Sequence, residues 1–198
     1  MLRPRTEPDP AAAVDTAERA ETRLLAAVAA GERAAFEALY RAYQPRLTRF
    51  LGRMTRRPAL VEEVLDDTML VVWRHAGRFN GGSKVSTWIF AIAYRTALKA
   101  LQRLDEPVED GAAETRAATG PGPEQRADEG RLRDALRRAL AALPAAQRAV
   151  VELTYFHDIG YREIAAIVDC PVDTVKTRMF HARRRLRALL AGRREDWL

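Results

Sequence analysis

The sequence predicts an all-α protein of two small helical domains. Three observations carry that expectation. Apolar residues recur at three- and four-residue steps in two separate stretches, the period of one helical face. No stretch alternates apolar and polar residues as a strand does, and no glycine-rich phosphate loop is present. Charge divides the chain: residues 1–30 carry net −1, 31–103 net +7, 104–130 net −6 and 131–198 net +6.

Residues 1–30 read as an N-terminal extension, largely disordered at its start. Met1 to Pro10 holds acids and three prolines with no apolar run, which does not read as a signal peptide. In the first basic block, 31–103, Phe36, Leu39, Tyr40, Tyr43 and Leu47 share one helical face. Val61, Val64, Leu65, Thr68, Val72 and Trp73 do the same in a second helix. Asn80-Gly81-Gly82 breaks the chain. Ser83 then serves as N-cap of a third helix through Val85, Trp88, Ile89, Ile92 and Ala93. These make a three-to-four-helix bundle.

Residues 104–130 hold Pro107, Pro121, Pro123 and four glycines with almost no large apolar residue, the composition of a flexible acidic linker. The second basic block, 131–198, predicts four helices: Arg131 to Leu143, one from about Pro144 to His157, Tyr161 to Val168, and Asp173 to Leu190.

The last two helices, with Asp169-Cys170-Pro171 between them, form a helix-turn-helix pattern. At ~100° per residue, Val175, Met179, Ala182, Leu186 and Leu189 fall in one sector, which must face a core. Thr177, Phe180, His181 and Arg184 lie roughly opposite, with Lys176 at one flank. Those side chains are free to enter a DNA major groove, while Arg183, Arg185 and Arg187 suit phosphates. The blander reading is a basic solvated face. The short helix and turn before it favour DNA.

Composition fits this reading. The 198 residues are 47% hydrophobic and 30% charged with net charge +6, which suits a polyanionic partner. The single cysteine, Cys170, excludes an intramolecular disulfide and fits a cytoplasmic location. His75, His157 and His181 are too scattered for a metal site, and no cofactor is expected. No run approaches the roughly 18 apolar residues of a membrane helix, so no membrane insertion is expected.

The stretch Leu143-Pro144-Ala145-Ala146-Gln147-Arg148, then Tyr161-Arg162-Glu163-Ile164-Ala165, then Val172-Asp173-Thr174-Val175-Lys176-Thr177-Arg178 resembles region 4 of sigma factors. Ala35-Phe36-Glu37-Ala38-Leu39-Tyr40, Val71-Val72-Trp73-Arg74 and Ser86-Thr87-Trp88-Ile89-Phe90 resemble region 2. Both regions in this order, with no domain between, resemble the extracytoplasmic-function (ECF) group of the sigma-70 family.

The resemblance implies a non-enzymatic subunit that binds RNA polymerase core and directs promoter-specific transcription initiation in a stress or signal response. Region 2 would contact the polymerase clamp through Asp66, Asp67, Leu70 and Arg74. It would meet the minus-10 element through Phe79, Asn80, Lys84, Ser86, Trp88 and Arg95. Relatives often carry Gln at the position of Asp66 and Arg at that of His181. Trp73 and Trp88 also lie on apolar faces, which reads more readily as core. Region 4 would dock on the polymerase flap and read the minus-35 element through Thr174, Lys176, Thr177, Phe180, His181 and Arg184. The acidic linker would thread toward the active centre, or serve only as a solubilising spacer. An anti-sigma factor is a further partner that the resemblance allows.

Other classes fit less well. A repressor or response regulator needs a sensor or dimerisation domain, and the first block shows neither βα alternation nor a phosphoacceptor pattern. An enzyme needs a nucleophile–base spacing, a metal cluster or a phosphate loop, and none is present. A protein-interaction module would use the positive charge only as a solvated surface.

Overall fold

The computed structural model describes residues 10–55, 57–105 and 124–191. Among the described residues all regular structure is helical. The order is α1 (Pro10–Ala29), α2 (Arg33–Met54), α3 (Pro58–His75), a 3-10 turn (Ala76–Arg78), α4 (Val85–Asp105), α5 (Glu124–Ala141), α6 (Ala145–Tyr155), α7 (Tyr161–Ile167) and α8 (Val172–Ala191).

Helix α1 was not expected from the sequence. Proline opens it, where a missing N–H costs nothing. Gly31, at φ +87°, closes it. The Gly31 and Glu32 N–H groups turn back to the Val28 and Ala27 carbonyls at 3.0 and 3.1 Å, the pattern that ends a helix on a left-handed residue. Leu25 and Val28 are buried against the first block, and the Tyr43 hydroxyl donates to Glu21 at 2.9 Å. So α1 completes a four-helix bundle with α2, α3 and α4. Residues 1–9 lie outside the described residues.

In α2 the buried residues include Leu39, Tyr43, Leu47, Phe50 and Leu51, the stripe read from the spacing and its continuation. Pro45 sits inside α2 and removes one backbone bond. The helix runs through it because buried side chains anchor it on both sides. In α3, Leu60, Val61, Val64, Leu65, Met69 and Val72 are buried. The Thr68 hydroxyl is satisfied by donating to the Val64 carbonyl at 2.6 Å.

In the second block, Pro144 precedes α6 and its carbonyl accepts from Gln147 and Arg148 N–H at 2.9 Å. The turn after α7 is tight. Asp169 takes φ +51°, and Cys170 N–H donates to the Ala165 carbonyl at 3.1 Å. Aspartate tolerates that conformation better than most residues.

Four expectations need correction. Helix α5 starts at Glu124, not Arg131, so the end of the expected linker is helical; residues 106–123 lie outside the described residues. Helix α5 also ends at Ala141, short of Leu143. Ser83 is not the cap of α4, because its hydroxyl donates to the Lys84 carbonyl at 3.3 Å and the helix begins at Val85. Leu189 is 43% exposed, because α8 has by then run past the helices it packs on, and Leu186 is only half-buried.

The two blocks share one apolar core, with α2 against α6 and α4 against α7.

Candidate nucleic-acid and polymerase interfaces

Helix α8 is held by one side. Val175, Met179 and Ala182 are buried, each at most 2% exposed. Lys176, Thr177, Phe180, His181 and Arg184 are exposed on the other side, and Thr174 is half-buried at its edge. Phe180 is 63% exposed, unusual for an aromatic side chain, and its ring lies edge-on to His181 at 5.5 Å. Asp173, in the first turn, organises the start of this face. It pairs with Lys176 at 2.9 Å, and its carbonyl accepts from the Thr177 hydroxyl at 2.9 Å. Arg183 is not turned to solvent alone: its guanidinium donates to the Tyr155 hydroxyl of α6 at 2.7 and 3.1 Å.

A second surface surrounds the turn before α4. Asn80 Oδ1 accepts from Gly82 N–H at 3.0 Å, and Gly81 stands at φ +73°. A side chain at 81 would be strained, so the glycine is required by the turn. Phe79 and Trp88 pack edge-on at 5.7 Å, and both are half-buried. At ~100° per residue, Lys84, Trp88 and Arg95 run along one side of α4, while Ser86 is turned to the other and half-buried. Phe90 and Tyr94 are buried in the core and take no part in this surface.

Helix α1 supplies the far wall. A cavity of about 740 Å³ is lined by Glu18, Arg19, Thr22 and Arg23 of α1 and by Gly81 to Val85. Lys84 bridges Glu18 at 2.9 Å and Glu163 of α7 at 3.0 Å. Hydrogen bonds to Glu18, then to Glu163, raise its pKa above the ordinary lysine value. The sequence reading missed α1 as part of this site.

A third surface is an apolar cleft of about 540 Å³ between α2 and α3, lined by Arg33, Phe36, Tyr40, Asp66, Asp67, Met69, Leu70 and Trp73. Phe36 and Trp73 pack edge-on at 5.1 Å, and Leu70 stands 43% exposed at the rim. The Tyr40 hydroxyl lies 3.5 Å from Asp66, and burial, then the Asp66 charge, raises its pKa. Arg74 is exposed one turn beyond.

Two family models match the chain. Sigma-70 region 2 covers residues 39–106 and Sigma-70 region 4 covers 133–186. The ECF RNA polymerase sigma factor RpoE of Cereibacter sphaeroides is 32% identical over 163 residues, covering 79% of this chain and 86% of that protein. The chain belongs to the ECF sigma factors of the sigma-70 family.

The fold agrees. The structure of CnrH in complex with the cytosolic domain of CnrY aligns at TM-score 0.66 and 23% identity, over 87% of this chain and 98% of that one. The Bartonella quintana sigma factor RpoE, in complex with the anti-sigma factor NepR, aligns at TM-score 0.60 and 24% identity, over 79% and 96%. This sigma factor therefore acts with RNA polymerase in promoter-specific transcription initiation. Its region 2 match contains the Asn80 turn and the cleft residues from Tyr40 to Trp73, and its region 4 match contains the exposed face of α8 up to Arg184. Among the described residues no helix is long and apolar enough to cross a membrane, and no metal-ligating cluster is found.

Proposed function

We propose that the exposed face of α8 reads the minus-35 element. Lys176, Thr177, Phe180 and His181 would meet base edges, with Thr174 and Arg184 on the flanking phosphates. The observation that carries this is the division of α8, with Val175, Met179 and Ala182 buried and a continuous polar and aromatic side opposite. Phe180 offers an apolar surface to a thymine methyl group.

Phe79, Asn80, Lys84, Trp88 and Arg95 would receive the minus-10 element. The glycine turn admits close approach of a strand, and Lys84 and Arg95 supply positive charge along one side of α4. Ser86, on the other side, supports no contact from there. Asp66, Asp67, Leu70 and Arg74 would meet the polymerase clamp, with Leu70 as the apolar anchor at the rim of the cleft. The functional units on this reading are 31–103 and 131–198, joined by 104–130. The protein works in the cytoplasm as a binding subunit and catalyses no reaction of its own.

Run-off transcription with purified core polymerase tests this. The full chain should confer initiation at one promoter position. Core polymerase that initiates no more selectively with the chain than without it would overturn the reading.

A further inference from the structure

Helix α1 lies outside residues 39–106, the stretch matched to region 2, yet it closes one side of the cleft at the Asn80 turn. Several contacts fix it there. Leu25 and Val28 are buried in the apolar core. Glu21 accepts from the Tyr43 hydroxyl at 2.9 Å and pairs with Arg46 at 3.8 Å. Glu18 pairs with Lys84 at 2.9 Å, which joins α1 to the residue just before α4. Arg19, Thr22 and Arg23 of α1 are exposed and line the cleft, with Gly81, Gly82 and Ser83 from the turn.

The cleft suits one strand of nucleic acid. Its volume of about 740 Å³ is room for a nucleotide unit and not for a duplex. The charged residues of its lining are three bases, Arg19, Arg23 and Lys84, and one acid, Glu18. Lys84 is already shared between Glu18 and Glu163, at 2.9 and 3.0 Å. A phosphate chain in the cleft therefore needs further cations, and α1 supplies them. Thr22 turns its hydroxyl back on the Glu18 carbonyl at 2.9 Å, so it sends no donor outward. Among the described residues Arg23 uses only its Nε, which donates to the Arg19 carbonyl at 3.3 Å. Its two terminal nitrogens remain, and a guanidinium fork matches phosphate oxygens. Arg19 stands one turn earlier on the same side, ~6 Å away, so the pair can face successive phosphates. The turn itself is nearly bare of side chains. Gly81 stands at φ +73°, and a Cβ at Gly82 would lie 3.1 Å from Asn80 Oδ1.

We propose that α1 is a backbone clamp for single-stranded DNA at the minus-10 surface. Arg19 and Arg23 hold phosphates of the strand that passes along the Asn80 turn. The clamp reads no base. It favours melted DNA over duplex, because the cleft admits one strand. This rests on the assignment of the Asn80 turn and Lys84 to the minus-10 element.

The test uses holoenzyme assembled from the full chain, with core polymerase alone as the baseline. The probe is a labelled pool of short single-stranded DNA of randomised sequence, titrated at two salt concentrations. Arg19→Ala and Arg23→Ala should each weaken binding about two- to fivefold at low salt, the scale of one exposed ion pair. Each should also lower the slope of log affinity against log salt by about 0.7, the value of one phosphate contact on a single strand. The sequence preference of the bound pool should stay unchanged, and so should affinity for duplex DNA. Arg23→Lys should restore the slope and less of the affinity, since an ammonium keeps the charge and loses the fork. Arg41→Ala removes an exposed arginine of α2 that does not line the cleft, and should bind as the parent does. Arginine variants of α1 that bind like the parent, or an Arg41→Ala variant that weakens binding equally, overturn the clamp. Lys84→Ala keeps the two readings apart. Weakened binding in Lys84→Ala beside unchanged α1 variants overturns the clamp and leaves the minus-10 surface standing. Weakened binding in the α1 variants beside an unchanged Lys84→Ala leaves the clamp standing and overturns the role of Lys84. Holoenzyme that binds the pool no better than core polymerase overturns both.

Discussion

The Arg53 guanidinium lies 3.2 Å from the Glu152 carboxylate, and the two residues belong to different regions of the sigma factor. Burial raises the Glu152 pKa from 4.5 to about 7, against the opposing pull of Arg53 and Arg148. Burial lowers the His157 pKa from 6.5 to about 4, helped by Arg46, Arg49 and Arg53. The signs are opposite. Burial takes up a proton at Glu152, so that group stabilises the folded chain as pH falls from about 7 toward 4.5. Burial excludes a proton from His157, so that group destabilises the folded chain as pH falls from 6.5 toward about 4. The parent chain should therefore change little between pH 6.5 and 5. Glu152→Gln should lose stability on acidification and His157→Gln should gain it, read by denaturant unfolding at pH 6.5 and 5. Parallel behaviour of the two variants would contradict the assignment.

Helix α1 belongs to the region 2 core. Leu25 is 0% exposed within the apolar core, so Leu25→Ala should lower stability by about 2–5 kcal/mol in denaturant unfolding. An unchanged midpoint would detach α1 from the bundle.

The cleft between α2 and α3 should act through Leu70. Its side chain is 43% exposed, so Leu70→Asp should leave thermal unfolding nearly unchanged. Affinity for core polymerase should fall by about 2 kcal/mol or more, the scale of an interface anchor, read by titration of labelled chain. A variant that binds as the parent does would move the clamp contact elsewhere.

Much of this was legible in the sequence. The apolar stripes of α2 and α3 and the buried side of α8 follow from helical spacing, and Val175, Met179 and Ala182 are buried as the wheel requires. Other features carry no such signal. Helix α1 is largely alanine and charge, so Leu25 and Val28 make too thin a stripe to separate it from an extension. Ser83 has the right side chain for a cap, but the backbone enters α4 one residue later. Glu152 reads as a surface residue of α6, yet it is buried beside Arg53 of α2. Contacts between distant blocks leave no period in a sequence, so Lys84 gave no hint of Glu163 or Glu18.

The rotation of α8 is the central claim, and single-base minus-35 binding tests it most directly. Affinities of variant holoenzymes would be measured across promoter substitutions at two salt concentrations. Lys176→Ala and His181→Ala should each lose about 1–3 kcal/mol and relax specificity at one base pair. Arg184→Ala should weaken all sequences alike and reduce the salt slope by about one. Met179, 2% exposed, should instead destabilise region 4 by about 2–5 kcal/mol as alanine. A stable Met179→Ala protein that has lost sequence preference, beside Lys176→Ala and His181→Ala proteins that bind like the parent, would contradict the account.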